Sequence, residues 1–162
     1  MKTLFINRHA KSSWDHPGMS DYDRPLNGRG LSDCKRMSLR FAQSGPQVDA
    51  IVTSSAKRAL TTAQAFAAAL PGVPVFQTRD IYLASVRELL KVINGLDDTY
   101  QSVMIFGHNP GFSDLVDYLS GYAWDMPTCA RAQITFDVNS WAYVSRDSGT
   151  LVETDYPKKH AE

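Results

Sequence analysis

A chain of 162 residues, 43% hydrophobic and 21% charged, has the size and composition of one well-filled globular domain, read here as spanning 1–162. Its 17 Lys and Arg balance its 17 Asp and Glu, which argues against bulk electrostatic binding to nucleic acid or to a membrane surface. No apolar run nears the ~20 residues of a membrane span, no signal peptide is evident, and Cys34 and Cys129 form no CxxC pair, so a cytoplasmic protein without disulfides is expected.

Leu4, Phe5 and Ile6 make a short apolar run of the length and type of a buried parallel strand. The run ends at Arg8 and His9, and in open α/β sheets ligands sit just beyond the carboxyl ends of strands. A guanidinium suits the oxygens of a phosphate, and a neutral imidazole can serve as a nucleophile. The pair alone also fits a solvated basic strand end.

The polar loop Lys11 to Pro25 contains Asp15, Asp21 and Asp23, with Trp14 and Tyr22 to pack it. Loops of this length in compact domains are more often functional than not. Asn27 is placed to cap a helix from Gly28 to Ser44. Within it, Cys34-x5-Arg40 has the spacing of a cysteine phosphatase loop. Both residues fall inside one helical pattern, where interior amides are already bonded and cannot ring an anion. Cys34 is therefore read as core.

Val48 to Thr53 reads as the second strand, Ser54-Ser55 as an N-cap, and Ala56 to Leu70 as an Ala-rich helix. Arg58 in its first turn opposes the helix dipole unless an anion binds there; a solvated Arg covering the sheet is the plainer alternative. Val73 to Thr78 is a short strand, followed by a helix from Ser85 to Leu96. Ser85-x-x-Glu88 has the form of a capping box, which accounts for Glu88 without a catalytic role. Val103 to Phe106 is a second buried strand, ending in Gly107-His108, with a turn at Asn109-Pro110-Gly111 and a helix beginning over Ser113 to Leu119. His108 repeats the placement of His9, and Gly107 leaves room for a close approach. Ala132 to Val138 and Trp141 to Ser145 read as a hairpin turning at Asn139-Ser140. Thr150 to Tyr156 reads as an edge segment, and Pro157 to His160 as a loose tail in which His160 has no role.

Arg8-His9-Ala10, Asp23-Arg24-Pro25-Leu26, Ser54-Ser55-Ala56-Lys57-Arg58-Ala59 and the Gly107-His108-Asn109-Pro110-Gly111 turn, in this order, resemble the histidine phosphatase superfamily, which includes the cofactor-dependent phosphoglycerate mutases. They look most like its short SixA-type branch of phosphohistidine phosphatases. The resemblance covers about residues 2 to 120. It implies His9 as the nucleophile and phosphohistidine carrier. Arg8, Arg58 and His108 would surround the phosphoryl oxygens, with Asn109 among the substrate-binding residues and neither cofactor nor metal required. Elementary chemistry agrees, because phosphoryl transfer depends mainly on positioning and charge stabilisation, and nearby Arg charges keep His9 neutral.

Mutase-like relatives use an acid to protonate an alcohol leaving group, and no convincing counterpart is found; Asp15, Asp21, Asp23 and Glu88 are the candidates. An imidazole leaving group, with a pKa near ~6.5, needs less help to depart. Phosphohistidine on a signalling or carrier protein is thus the expected substrate. A small-molecule phosphomonoesterase and a non-catalytic phosphate-binding module are the alternatives, and the oligomeric state is left open. The expected fold is a three-layer α/β sandwich: a mostly parallel central sheet, helices on both faces and an antiparallel edge hairpin.

Overall fold

The computed structural model describes residues 1–160; the last two residues of the expected 1–162 domain lie outside the described residues. Six strands form one sheet: β1 (Lys2–Arg8), β2 (Ala50–Ser54), β3 (Val75–Thr78), β4 (Ser102–Gly107), β5 (Arg131–Phe136) and β6 (Gly149–Asp155). Their spatial order is β3-β2-β4-β1-β5-β6. The first four are mutually parallel, and β5 and β6 add an antiparallel edge. Helices α1 (Gly28–Gln43) and α2 (Lys57–Ala69) lie together on one face, and α3 (Val86–Asn94) and α4 (Gly111–Ser120) on the other. This is the expected three-layer sandwich.

Burial on both faces explains the unbroken apolar runs of the central strands. Leu4, Ile6, Val103 and Ile105 pack with Leu89, Ile93, Phe112 and Leu115 on the α3–α4 side. Phe5, Met104 and Phe106 pack with Met37, Phe41 and Phe66 on the α1–α2 side. Alternate residues of one strand thus serve opposite cores, as the period of two requires.

The helix starts follow local chemistry. Asn27 caps α1 by accepting from the Gly30 amide at 2.8 Å. The capping box on α3 is complete: Ser85 Oγ accepts from the Glu88 amide, while Glu88 Oε1 accepts from the Ser85 amide and hydroxyl. Gly107 leaves its expected space, and the occupant is the Phe112 ring, whose atoms lie 2.4 Å from where a Cβ would stand.

Several expectations need correction. The N-cap position of α2 is Ala56, which has no side chain to offer, and Ser54 belongs to β2. Helix α4 begins at Gly111, two residues earlier than expected. Trp141 to Ser145 is not a strand: Trp141–Tyr143 is a 3-10 turn. The Trp141 amide donates to Asp98 Oδ1 and its indole to the Tyr100 carbonyl, which draws the ring fully into the core. The strand pairing with β5 is β6, the segment read as an edge extension. Nor is the tail loose, since Pro157–His160 is a 3-10 turn and His160 Nε2 bonds Asp155. Among the described residues, no helix is long and apolar enough to cross a membrane.

Candidate active site

Parallel pairing brings the carboxyl ends of β1, β4 and β2 side by side, with Arg8 opposite Gly107 and Thr53 opposite Phe106. Residues a hundred positions apart therefore meet at one crevice. The His9 and His108 rings stand 5.2 Å apart between centroids, and both side chains are buried.

His9 Nδ1 lies 2.6 Å from the Ala10 carbonyl. A carbonyl can only accept, so Nδ1 carries the proton and, in the neutral ring, Nε2 keeps its lone pair. Burial first, then the charges of His108, Arg58 and Arg8, push the His9 pKa down to about 3, against the pull of the Ala10 carbonyl. His9 is thus a neutral imidazole at pH 7 whose unprotonated Nε2 has the lone pair that nucleophilic attack needs.

His108 is also pushed down to about 3, by burial and then by Arg58. Its Nε2 lies 2.8 Å from Ser54 Oγ, and its buried Nδ1 has no partner. Ser54 Oγ accepts from the Ala56 amide at 3.2 Å and keeps both its proton and a second lone pair for His108 Nε2. In the tautomer where Nε2 accepts, the ring's N–H sits on the unpartnered Nδ1.

The two guanidiniums complete the cluster. Arg8 donates from Nη1 to the Met126 carbonyl at 2.9 Å, and its Nε is buried and unpaired. Arg58, at 3% exposure, donates from Nη1 to the Asp21 carbonyl and from Nη2 to Asp21 Oδ2, at 2.7 and 3.0 Å; its Nε is likewise unpaired. Burial lowers the Arg8 pKa, and the nearby Arg58 charge lowers it further. Two cations and two buried imidazoles so close together form a site that a multiply charged oxyanion stabilises.

Residues 4–82 match the family described as "Histidine phosphatase superfamily (branch 1)". The chain belongs to the histidine phosphatase superfamily. It is 31% identical over 115 residues to an uncharacterised protein of Mycobacterium tuberculosis (strain H37Rv), an alignment covering 70% of this chain and 69% of that protein. Among solved structures, the protein assigned as the phosphohistidine phosphatase SixA in Agrobacterium tumefaciens superposes with a TM-score of 0.82 at 26% identity. That superposition covers 96% of this chain and 98% of the other. The protein histidine phosphatase SixA complexed with tungstate gives a TM-score of 0.82 at 21% identity, over 97% of this chain and 98% of that one. Family and fold place this histidine phosphatase in the SixA-type branch.

The remaining expected residues are distributed unevenly around the histidine phosphatase crevice. The Asn109 side chain is fully engaged in scaffolding. Its Nδ2 donates to Asp125 Oδ1 and to the Met126 carbonyl, and its Oδ1 accepts from the Ser113 amide and hydroxyl. Because Arg8 anchors on that same Met126 carbonyl, Asn109 braces Arg8. Glu88 is exposed and held in its capping box. Asp15 and Asp23 line an outer pocket with His16 and Lys57.

Asp21 alone of the candidate acids reaches the cluster. Burial opposes its charge, but hydrogen bonds from Tyr82, Arg58 and Arg24 hold its pKa near 2. It is a clamp on Arg58 rather than a proton donor. Residue-by-residue reading misses Ser54, taken for a helix cap, and Tyr82, whose ring stands 5.5 Å from that of His108 and whose hydroxyl donates to Asp21; Asp21 is named there only as one of several loop acids. Among the described residues, no group of three or more His, Cys, Asp or Glu is placed to hold a metal ion.

Proposed function

We propose that this histidine phosphatase hydrolyses phosphohistidine on a protein, through a phosphoenzyme formed at His9. The observation that carries the reading is the His9 tautomer: Nδ1 is held by the Ala10 carbonyl, and the free Nε2 shares the crevice with His108, Arg8 and Arg58. In the first step Nε2 attacks phosphorus, a new N–P bond forms, and the substrate's N–P bond breaks in line. The substrate imidazole, protonated on its other nitrogen, leaves as neutral imidazole. Water then attacks the phosphoenzyme, freeing phosphate and restoring His9. Arg8, Arg58 and the Nδ1–H of His108 stabilise the equatorial oxygens, where charge accumulates.

The chemistry of the acids supports a phosphoramidate over an ester. Asp21 stays ionised under its two arginines, and Glu88 caps α3. An imidazole leaves without a protein acid more readily than an alkoxide does. The SixA-type relatives are described as phosphohistidine or protein histidine phosphatases, which favours a protein-borne substrate here too. The test is phosphate release from a histidine-phosphorylated carrier protein and from a simple phosphomonoester at matched concentration, with His9→Ala as control. Faster turnover of the ester would overturn the assignment in favour of a phosphomonoesterase, and a site that binds phosphate without releasing it from either substrate would be a binding module.

A further inference from the structure

Asp21 ties two exposed apolar side chains to the mouth of the crevice. Its Oδ1 accepts from Arg24, and its Oδ2 accepts from Arg58 and from the Tyr82 hydroxyl. Trp14 lies on the first of these partners, with the Arg24 guanidinium carbon 3.6 Å from the ring centroid. Leu83 directly follows Tyr82, whose ring stands 5.5 Å from that of His108. Trp14, expected to pack its own loop, is 74% exposed, and Leu83 is 55% exposed.

Single exposed apolar residues are ordinary on protein surfaces, but these two are held in place. Arg24 is buried, and its guanidinium is fixed by Ser12 Oγ at 2.7 Å, the Ser13 carbonyl at 3.2 Å and Asp21 Oδ1. The Trp14 ring therefore rests on a rigid cationic plate with most of its surface open. Leu83 has φ 48, a left-handed conformation that residues other than glycine seldom adopt. Backbone strain of this kind clusters at functional sites.

We propose that Trp14 and Leu83 are docking contacts for the protein that carries the phosphohistidine, and that they meet an apolar patch flanking its phosphorylated residue. This rests on a phosphohistidine protein as the substrate. His9, His108 and Arg58 are buried, so a protein-borne phosphohistidine has to enter past the rim while the surface around it stays outside. The rim side chains are the ones that touch that surface. Both present apolar atoms, against which Leu, Met or aromatic side chains lose water favourably and a charged one would lose it without a partner. A tryptophan immobilised in advance also lowers the ordering cost of binding, as anchor residues of interfaces do.

The test compares kcat/KM for a histidine-phosphorylated carrier protein with that for free phosphohistidine, in the full chain and its variants. Trp14→Ala is expected to lower the protein value at least tenfold, chiefly by raising KM, and to leave the free-phosphohistidine value within twofold. Trp14→Phe recovers most of the loss. Leu83→Gly, in which glycine takes φ 48 without strain, is expected to lower the protein value at least threefold with no loss of thermal stability. Titrating the same phosphorylated protein into His9→Ala, which lacks the nucleophile, is expected to shift the Trp14 indole signal in NMR. Equal losses on both substrates would make Trp14 a brace for Arg24 and overturn the proposal, as would unchanged turnover of the protein or an unmoved indole signal. A free chain that dimerises, and no longer does so as Trp14→Ala, would overturn it by giving the ring to a second copy. The NMR arm needs no turnover. A chain that binds the phosphorylated protein through Trp14 but releases no phosphate loses the proposed reaction and keeps the docking surface.

Discussion

Ser54 Oγ stands 2.8 Å from His108 Nε2, at the neighbouring ends of β2 and β4. This contact joins residues 54 positions apart, and we read it as the serine hydroxyl donating to Nε2, which puts the ring's N–H on Nδ1. Ser54→Ala removes the proton that selects the tautomer, and Nε2 can then carry the N–H in place of Nδ1. Turnover should fall about 10–100-fold, the range lost when a partner that orients a functional histidine is removed. The check is a kinetic comparison in which Ser54→Thr, retaining the hydroxyl, recovers most of the rate. Equal activity of Ser54→Ala and wild type would remove the serine from the mechanism.

His9→Ala should abolish turnover while leaving the fold intact, because the ring's packing is a small part of a core dominated by larger side chains. His108→Ala should slow breakdown of the phosphoenzyme more than its formation, so that label accumulates on the protein. The check is quenching after exposure to radiolabelled substrate, since N-linked phosphate survives alkali and is lost in acid. Alkali-stable label in His108→Ala, absent from His9→Ala, is the expected pattern. Loss of folding in His9→Ala, seen by circular dichroism, would give that residue a structural role instead.

The candidate site was legible in the sequence wherever a buried strand ended abruptly in polar residues. Arg8-His9 and Gly107-His108 follow unbroken apolar runs, and parallel packing places such ends in one crevice. Arg58 was visible because it sits at the wrong end of a helix dipole. Ser54 was hidden, since a serine before a helix has an ordinary capping explanation, and only the pairing of β2 with β4 brings His108 to it. Asp21 was hidden for a related reason: the fold of the Lys11–Pro25 loop, not its composition, lays one of its carboxylates on Arg58 and Tyr82. The edge hairpin was legible as a kind but not in its partner. Trp141 to Ser145 has strand-like residues, yet Asp98 and Tyr100, distant in sequence, hold Trp141 in the core instead.

The two depressed histidines give stability a definite pH dependence. Each has a folded pKa of about 3, against ~6.5 in the unfolded chain. Between those values the unfolded state binds protons that the folded state does not, so stability rises with pH. Their contribution is present above pH ~6.5 and is lost as pH falls towards 3. At pH 5 the loss is on the order of 2 kcal/mol for each ring. Urea unfolding at pH 7.5 and pH 5 checks this: wild type should weaken, and His9→Ala should weaken by about 2 kcal/mol less. Direct titration of His9 and His108 by NMR should show both rings neutral at pH 5. An ordinary pKa for His9 would remove its share of this pH dependence.

Asp21 tests whether this site uses a general acid at all. Its carboxylate accepts from Tyr82 at 2.6 Å, from Arg58 at 3.0 Å and from Arg24 at 3.1 Å, and its pKa is held near 2. A carboxylate so depressed has almost no proton to give at neutral pH, so its service is to fix Arg58. Asp21→Asn keeps the shape but removes the charge that holds two guanidiniums, and Arg58 gains freedom to leave its place. A positioning role predicts a loss of roughly tenfold in kcat/KM, typical of one weakened charge-assisted contact. That loss should be nearly equal for phosphohistidine protein and for a phosphoester, with the pH profile unmoved. A general acid would leave a different signature, because an alkoxide needs the proton far more than an imidazole does. Asp21→Asn would then cripple ester hydrolysis, spare the phosphoramidate, and erase the alkaline limb of the profile. Measuring both substrates across pH 5 to 9 in wild type and variant separates the two roles.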